Sequence, residues 1–241
     1  MLIFTGIATQ AQHQKQLCIY PIESGGMSYL IVKQDCCILV DAGSHGSMKK
    51  IDKAIMRAGI SYRDIKYIVV THTHYDHVVN LAVLKQLTGA LVIMHESEKM
   101  HIESGLTPLP DGMTAAGKFG LWITRNFRKH KTIVEPVAPD ILVQNNYKIG
   151  NTGFEIKHTP GHSDGSISLI LNDTICFCGD AAFRVFRNDL MPITGKSKIE
   201  MLQTWDELLA YGCRYFYPGH GKPFTCAELL QSIEKHRTSA K

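Results

Sequence analysis

The chain has 241 residues, of which 44% are apolar and 20% are charged, and its formal net charge is +4. This composition predicts one large globular α/β domain, residues 1–241, with enough core to fold without disulfide staples. The absence of a long basic block gives no support to nucleic-acid binding. No apolar run reaches the ~18 to 20 residues that a membrane-spanning helix needs.

The first part of the chain predicts short strands that begin an antiparallel sheet. We expect strands over 2–5, 17–23, 27–33 and 36–40, the last two forming a hairpin that turns at Gln34-Asp35. A helix is expected over 48–58, capped by Ser47 and closed by Gly59.

Residues 65–94 predict a strand, a helix and a second strand. The strand 65–70 is apolar and leads into a loop rich in histidine. A helix is predicted over 78–87, because Val78, Leu81 and Leu87, with either Ala82 or Leu84, are apolar residues at helical spacing. Residues 91–94 are predicted to form the next strand. The histidine loop therefore lies at the carboxyl end of a strand, where open α/β sheets place their sites.

This loop, Thr71-His72-Thr73-His74-Tyr75-Asp76-His77, is the most informative stretch of the chain. Three imidazoles and a carboxylate so close together would repel or desolvate one another, and a divalent cation removes that conflict. In extended chain His72 and His74 point to one side, whereas Asp76 and His77 follow a turn and aim elsewhere. One loop can thus serve two neighbouring metal positions. The alternative is a polar loop whose histidines contact only water.

Residues 96–142 interrupt the α/β pattern with prolines and glycines. A helix is expected around 114–128, with an apolar face formed by Phe119, Trp122, Ile123 and Phe127. Its end carries a basic cluster of Arg125, Arg128, Lys129, His130 and Lys131. We interpret the segment as a helical insertion over the site; a helix that only covers the sheet is the alternative.

The second half returns to strands. They are expected over 141–144, 146–149, 154–158, 166–171 and 174–178, with a hairpin turn at Asn172-Asp173. A helix over 197–211, a strand over 214–217 and a final helix over 226–236 complete the chain. The repeated order suggests two similar halves, with two sheets packed face to face and helices outside.

The seven cysteines are odd in number and include no C-x-x-C pair. Four of them, Cys36, Cys37, Cys176 and Cys178, lie in apolar runs where cysteine acts as a small hydrophobic residue. This usage favours a reducing compartment. Because the N-terminal residues also lack the features of a secretion signal, we expect a cytoplasmic protein.

Three further polar residues follow predicted strands. They are His162 in Thr159-Pro160-Gly161-His162, Asp180 in Cys178-Gly179-Asp180, and His220 in Tyr217-Pro218-Gly219-His220-Gly221. In each case a small or rigid residue comes before the polar side chain, as expected where a chain turns sharply.

Together with His72-x-His74-x-Asp76-His77, these motifs resemble the metallo-β-lactamase superfamily of hydrolases. The resemblance extends from Asp41-Ala42-Gly43 to Pro218-Gly219-His220-Gly221, with the elements in the expected order. It implies an α/β fold, a four-layer αββα sandwich with the site at one edge.

The resemblance also implies roles for single residues. His72, His74 and His162 would hold a first metal ion; Asp76, His77 and His220 would hold a second; Asp180 would bridge both. Asp41 would support the histidine loop without binding metal. The histidines at 45, 95, 101, 130 and 158, together with Ser163 and Asp164, match no ligand position.

The expected chemistry follows from the ligands. Two divalent ions with only two carboxylates leave the site cationic, which lowers the pKa of a bridging water and favours anionic or polarised substrates. We expect a metal-bridging hydroxide to attack a carbonyl or phosphoryl centre, with Asp76 orienting the water and passing on its proton. Tyr75 and Tyr217 are equally plausible as supporting or packing residues.

Within the family, the sequence favours hydrolysis of a small-molecule ester, lactone or thioester. An apolar wall would come from Phe119, Trp122, Phe183, Phe186 and Met191, and an anionic group would meet Arg184, Arg187 or Lys222. The alternatives are an iron-dependent persulfide dioxygenase, a phosphodiesterase or nuclease, and a non-catalytic metal-binding module. Zinc is the expected metal, with iron or manganese also accepted by these ligands. The sequence leaves the substrate and the oligomeric state open.

Overall fold

A computed structural model of the chain describes residues 17–33, 36–127, 129–184 and 189–238. Several predictions from the sequence lie outside these ranges. They are the strand 2–5, the turn at Gln34-Asp35, the basic residue Arg128 and the pocket residues Phe186 and Arg187.

The first sheet contains six strands within the described residues, and it runs in chain order from β1 to β6. β1, β2 and β3 are antiparallel neighbours, and β3 to β6 are parallel. This confirms the antiparallel start followed by a βαβ unit. The strands are Cys18–Glu23, Met27–Lys33, Cys36–Val40, Ile65–Val69, Leu91–His95 and Ile141–Val143.

The second sheet also has six described strands, ordered β12-β11-β10-β9-β8-β7. Only β10 and β11 are parallel, and the helix Lys198–Tyr211 connects them. Asn172 and Asp173 have φ of 48° and 54°, which confirms the hairpin turn between β9 and β10. The strands are β7 Tyr147–Lys148, β8 Phe154–His158, β9 Ile167–Leu171, β10 Ile175–Gly179, β11 Tyr215–Pro218 and β12 Phe224–Thr225.

The five predicted helices are present with two corrections, and the short helix Lys99–Ser104 was not predicted. The described helices are α1 Met48–Ala58, α2 Tyr75–Val78, α3 Leu81–Thr88, α4 Lys99–Ser104, α5 Ala115–Phe127, α6 Lys198–Tyr211 and α7 Cys226–Thr238. The predicted helix 78–87 is wrong in its start, because the chain turns helical at Tyr75 and breaks at Asn80. The Asn80 amide there donates to the carbonyls of Ala42 and Ser44. Leu87 is 39% exposed and does not join the core face.

The second correction concerns the start of α1. Ser47 stands at the N-cap position but makes no capping hydrogen bond with its side chain. Its hydroxyl instead donates to the Ser44 carbonyl at 2.8 Å and accepts from the Asn80 amide at 2.9 Å. Gly59 ends the helix in the left-handed conformation, as predicted.

Three buried clusters define the layers. The middle cluster lies between the sheets and contains Tyr29, Ile31 and Val69 from the first sheet with Phe154, Leu169 and Phe177 from the second. The cluster containing Ile51, Leu81 and Leu84 packs α1 and α3 on the first sheet. The cluster containing Met201, Trp205 and Leu229 packs α6 and α7 on the second sheet. The fold is therefore the predicted αββα sandwich. Within the described residues, no helix has the length and apolar character needed to cross a bilayer.

The two sheets meet closely at one edge. The Ile167 amide, at the start of β9, donates to the carbonyl of Thr71 at 2.9 Å, just after β4. Gly179 at the end of β10 has φ of 50°, and a Cβ there would lie 2.6 Å from the Cβ of Thr71. Glycine is thus required both by the backbone conformation and by the close approach. This edge gathers the loops that follow β4, β8, β10 and β11.

Candidate metal centre

The first group of polar side chains consists of His72, His74 and His162. The loop after β4 supplies the first two and the loop after β8 supplies the third. One ring nitrogen from each lies within 4.8 Å of the others, and Nδ1 of His74 is 2.9 Å from Nε2 of His162. All three are buried. The structure thus brings together the three residues predicted for the first metal position.

The second group consists of Asp76, His77 and His220. Their ligand atoms also lie within 4.8 Å of one another. Oδ2 of Asp76 is 4.0 Å from Nε2 of His77 and 3.3 Å from Nε2 of His220. His77 is buried, whereas the Asp76 and His220 side chains are 22% and 30% exposed. Two members of this group are therefore accessible to solvent, unlike the three histidines of the first group.

Asp180 lies between the two groups. Its Oδ2 is 3.4 Å from Nε2 of both His162 and His220. Its Oδ1 is 3.6 Å from Nε2 of His77. One buried carboxylate thus reaches both groups, which is the placement that a bridging ligand requires.

Three buried atoms at this point have no hydrogen-bond partner: Nε2 of His72, Nε2 of His77 and Oδ1 of Asp180. Buried polar atoms are otherwise almost always satisfied, because leaving one unpaired costs about 1–3 kcal/mol. His72 and His77 each use Nδ1 for a hydrogen bond and turn the unpartnered nitrogen inward. Imidazole nitrogens and carboxylate oxygens are ligands for zinc, iron and manganese, so these residues fit divalent metal ions.

Asp41 supports the histidine loop, as the sequence predicts. Its Oδ1 accepts a hydrogen bond from the Thr71 amide at 2.8 Å, and its Oδ2 accepts from Nδ1 of His77, also at 2.8 Å. It directly follows β3 and has φ of 59°. In the same way the Thr194 carbonyl lies 3.1 Å from Nδ1 of His162. Such partners fix the orientation of an imidazole and its tautomer.

Glu98 is a supporting residue that the sequence reasoning missed. Its Oε2 accepts hydrogen bonds from the amide and the hydroxyl of Thr73, and its Oε1 accepts from the Ser163 hydroxyl at 2.6 Å. The side chain is buried. One carboxylate therefore connects the loop after β4 to the loop after β8. No motif marks Glu98; its place just after β5, on a neighbouring parallel strand, was the only available signal.

Burial and charge divide the imidazoles into two kinds. Burial lowers the pKa of His74 to about 3 and the pKa of His72 well below its usual range, with neighbouring imidazoles adding to the effect. Burial likewise lowers the pKa of His162. These three rings are neutral at pH 7, which is the form that binds metals.

The pKa values of His77 and His220 move the other way. Burial alone would lower the pKa of His77, but the carboxylates of Asp180, Asp41 and Asp76 outweigh it and raise this pKa to about 9. The carboxylate of Asp180 also raises the pKa of His220 well above its usual range. Metal ions must therefore displace protons from the second group when they bind.

A cavity of about 300 Å³ opens over the centre. Its apolar lining comes from Leu109, Pro110, Leu121, Phe183 and Ile193, and Asp76, His162, Asp180 and His220 form its polar base. Of the segment 96–142, the residues Leu109, Pro110, Leu121 and Thr124 line this cavity.

The predicted pocket wall is partly wrong. Phe119 and Trp122 are 63% and 54% exposed and stack on each other, so α5 turns Leu121 and Thr124 toward the cavity instead. Met191 packs in the core beneath the second sheet. Phe183 is at the cavity, with its ring 5.1 Å from that of His220. Arg184 also lines the cavity and is paired with Glu228 at 2.6 Å.

The five histidines predicted as non-ligands lie outside the metal-ligand groups found in the described part of the chain. His95 and His158 stack with their ring centroids 4.3 Å apart. Nε2 of His158 is 2.7 Å from the Asp164 carbonyl. Ser163 serves Glu98, as described above.

Comparison with known proteins adds to the geometry. The family model described as the metallo-beta-lactamase superfamily matches residues 22–220. A probable metallo-hydrolase from Streptococcus pyogenes serotype M6 is 27% identical over 207 residues, which cover 84% of this chain and 82% of that protein. A hydroxyacylglutathione hydrolase from Pseudomonas aeruginosa is 28% identical over 164 residues, covering 65% of this chain but 48% of that enzyme.

Solved structures show the same fold. The crystal structure of the B3 metallo-beta-lactamase BLEG-1 aligns with a TM-score of 0.68 at 20% identity, covering 88% of this chain and 96% of that one. At this identity the likeness extends to the fold alone.

Proposed function

The chain belongs to the metallo-β-lactamase superfamily of metallo-hydrolases, and we propose that it uses the centre described above to hydrolyse a small-molecule ester, lactone or thioester. The observation that carries the proposal is the set of three unpartnered buried atoms on His72, His77 and Asp180, beneath a cavity with an apolar wall. Polar groups at the base of an apolar cavity are typical of sites for small organic ligands.

We assign the ligands as the family resemblance implies. His72, His74 and His162 would hold one divalent ion, Asp76, His77 and His220 a second, and Asp180 would contact both. Zinc is the proposed metal, with iron or manganese as alternatives for the same donors. Divalent ions in such sites supply Lewis acidity and lower the pKa of water, so that it is a nucleophile at neutral pH.

Asp76 is the proposed proton carrier. Its carboxylate lies at the cavity and is 22% exposed, whereas Asp180 is buried. Burial raises the pKa of Asp76, but the charges of His77 and His220 outweigh this and lower it, so the carboxylate is ionised at pH 7. It can orient a water molecule, accept its proton and deliver that proton to the leaving group.

The insertion determines which substrates fit. Leu109, Pro110 and Leu121 cover the centre from one side, and Phe183 and Ile193 complete the wall. A cavity of about 300 Å³ accepts a short acyl chain or a lactone ring. An apolar acyl group would bury its surface here and place its carbonyl near the polar base.

The seven cysteines form no disulfide, which supports our proposal of a cytoplasmic location.

The proposal is tested by measuring turnover of aryl esters, lactones and thioesters by purified protein with its metal content determined. We expect hydrolysis of at least one class, a His162→Ala variant without activity, and a His158→Ala variant at the wild-type level. Hydrolysis of bis-nitrophenyl phosphate alone would indicate the phosphodiesterase. Oxygen uptake with glutathione persulfide, without hydrolysis, would indicate the dioxygenase. A fully metallated protein that is inactive in every assay would refute the enzymatic proposal.

A further inference from the structure

A second and larger cavity adjoins the metal centre. It measures about 680 Å³ and lies between β1, the turn that follows it, α1 and residues 220–223. His220 lines both this groove and the cavity over the centre. A ligand in the groove would therefore extend directly to the second group of metal-ligating side chains.

The groove is lined by an excess of positive charge. Lys50, Lys53 and Arg57 follow one another at intervals of three and four on α1, so they share one face of that helix. Lys222 faces them from the loop after β11, and among the described residues of the lining Glu23 alone is acidic. Four cations thus face a single carboxylate.

These four cations make no ion pair with any residue in the described ranges, although other basic side chains do. Lys85 pairs with Asp140 at 2.7 Å, and Arg184 pairs with Glu228 at 2.6 Å. The groove therefore keeps its charge available, and the self-repulsion of like charges makes it attractive to an anion.

Close backbone packing beside His220 fixes the groove relative to the centre. A Cβ on Gly26 would lie 2.9 Å from the Gly219 carbonyl and 3.3 Å from a ring carbon of His220. The amide of Met27 donates to that same carbonyl at 2.6 Å. The turn after β1 is thus held against the loop that carries His220, and the relative position of groove and centre is fixed.

We propose that the groove binds a phosphate group of the substrate, while the ester or thioester lies at the metal centre. A phosphate monoester carries about −1.5 to −2 charges at pH 7 and so matches several cations better than one carboxylate does. Lysine and arginine both bind phosphate oxygens through charge-assisted hydrogen bonds. This inference rests on the proposed function for its placement of the scissile bond, and it names the substrates as acyl esters or thioesters whose alcohol or thiol part carries the phosphate.

The binding experiment uses metal-loaded protein and inorganic phosphate, measured by calorimetry. The test variant is Lys53→Glu with Arg57→Glu; the charge-matched control is Lys49→Glu with Lys66→Glu, two exposed lysines outside the groove. We expect binding that weakens with added salt, a loss of at least about tenfold in the test variant, and little change in the control. Equal binding by both variants would place phosphate on the metal ions alone and would overturn the proposal. The proposal would also be overturned if the wild-type protein bound no phosphate.

A kinetic experiment separates this inference from the function on which it rests. It compares two aryl esters that differ only in carrying a phosphate or a neutral hydroxyl on the aryl leaving group. We expect the test variant to raise KM for the phosphorylated ester and leave the neutral one unchanged. If neither ester is cleaved, the proposed function fails while the calorimetry still decides the groove. If both are cleaved with no preference by wild type, the groove proposal alone is refuted.

Discussion

Nδ1 of His77 lies 2.8 Å from Oδ2 of Asp41, and both side chains are buried. The carboxylate accepts a hydrogen bond from Nδ1–H of His77 and so directs the unpartnered Nε2 toward Asp180. Asp41 is thus a positioning residue that determines which nitrogen of His77 faces the centre.

Asp41→Asn should weaken metal binding without disturbing the fold. Asparagine also adopts the left-handed conformation that Asp41 occupies, but its amide can present hydrogens to His77 and favour the wrong tautomer. We expect the affinity for one of the bound ions to fall by about 10- to 100-fold. Competition with a chromophoric chelator measures this, and Asp64→Asn on the exposed surface is the control. Unchanged affinity in Asp41→Asn would show that His77 does not depend on this hydrogen bond.

Glu98→Gln tests the connection between the two ligand loops. Three hydrogen-bond donors, two from Thr73 and one from Ser163, point at the two oxygens of the Glu98 carboxylate. Glutamine replaces one of these oxygens with an NH₂ group, so at least one donor then faces an amide hydrogen. An unsatisfied buried donor costs about 1–3 kcal/mol, and we expect that loss in the free energy of unfolding. Urea denaturation measures it. Glu96→Gln is the matched control, since Glu96 is exposed and accepts a hydrogen bond from Gln144.

The sequence predicted the parts of the centre that depend on local chain geometry. His72 and His74 point to the same side because the chain is extended after β4. Asp76 and His77 point away from that side because α2 begins at Tyr75. The strand ends carrying Asp180 and His220 meet the same edge because β10 and β11 are parallel.

Other features were beyond sequence reasoning because they depend on how distant segments pack. The apolar spacing on α5 predicted an inward face of Phe119 and Trp122, yet Leu121 faces the cavity. The segment before the helix is held by backbone hydrogen bonds between 105–114 and Thr132, Val134 and Ile193, which the apolar spacing does not reveal. Glu98 becomes significant only because Ser163, 65 residues away, lies against it. The spacing of apolar residues indicates an amphipathic helix, but it does not indicate which part of the protein the apolar face packs against.

Asp189 should contribute stability that depends on pH. Burial raises its pKa, but hydrogen bonds from Lys235, the Met191 amide and His236 outweigh this and lower the pKa to about 2. Because the folded pKa lies below the usual 3.8, the contribution is present above about pH 4 and is lost as pH falls from about 4 to about 2.

Asp189→Asn should therefore destabilise the metal-free protein by about 1–2 kcal/mol at pH 7, and the difference from wild type should vanish below about pH 2. Denaturant titrations across this range measure it. Asp206→Asn, which removes a largely exposed pair with Arg237, should change stability by less than about 1 kcal/mol. A pH-independent difference for Asp189→Asn would mean that the lost hydrogen bonds, and not its ionisation, matter.

The count of bound metal ions should follow the two groups of side chains. We expect two ions per wild-type chain, one in His74→Ala and one in His220→Ala, since each variant removes a donor from a different group. Asp180→Ala should weaken both positions, because its carboxylate reaches both groups. Mass spectrometry of dialysed protein gives the counts. A wild-type protein with a single ion, unaffected by His220→Ala, would remove the second position from the proposal.

The cavity wall can be tested through Leu121, which is 9% exposed and lines the cavity from α5. Leu121→Trp adds volume above the centre and should lower kcat/KM for long acyl groups by about 10- to 100-fold while leaving short esters nearly unaffected. Leu121→Ala should reverse the preference. Trp122→Ala is the control, because this neighbouring side chain is exposed and stacks on Phe119 outside the cavity. Metal content and melting temperature identify any general damage. If Trp122→Ala altered chain-length preference and Leu121→Trp did not, the helix would present its other face to the substrate.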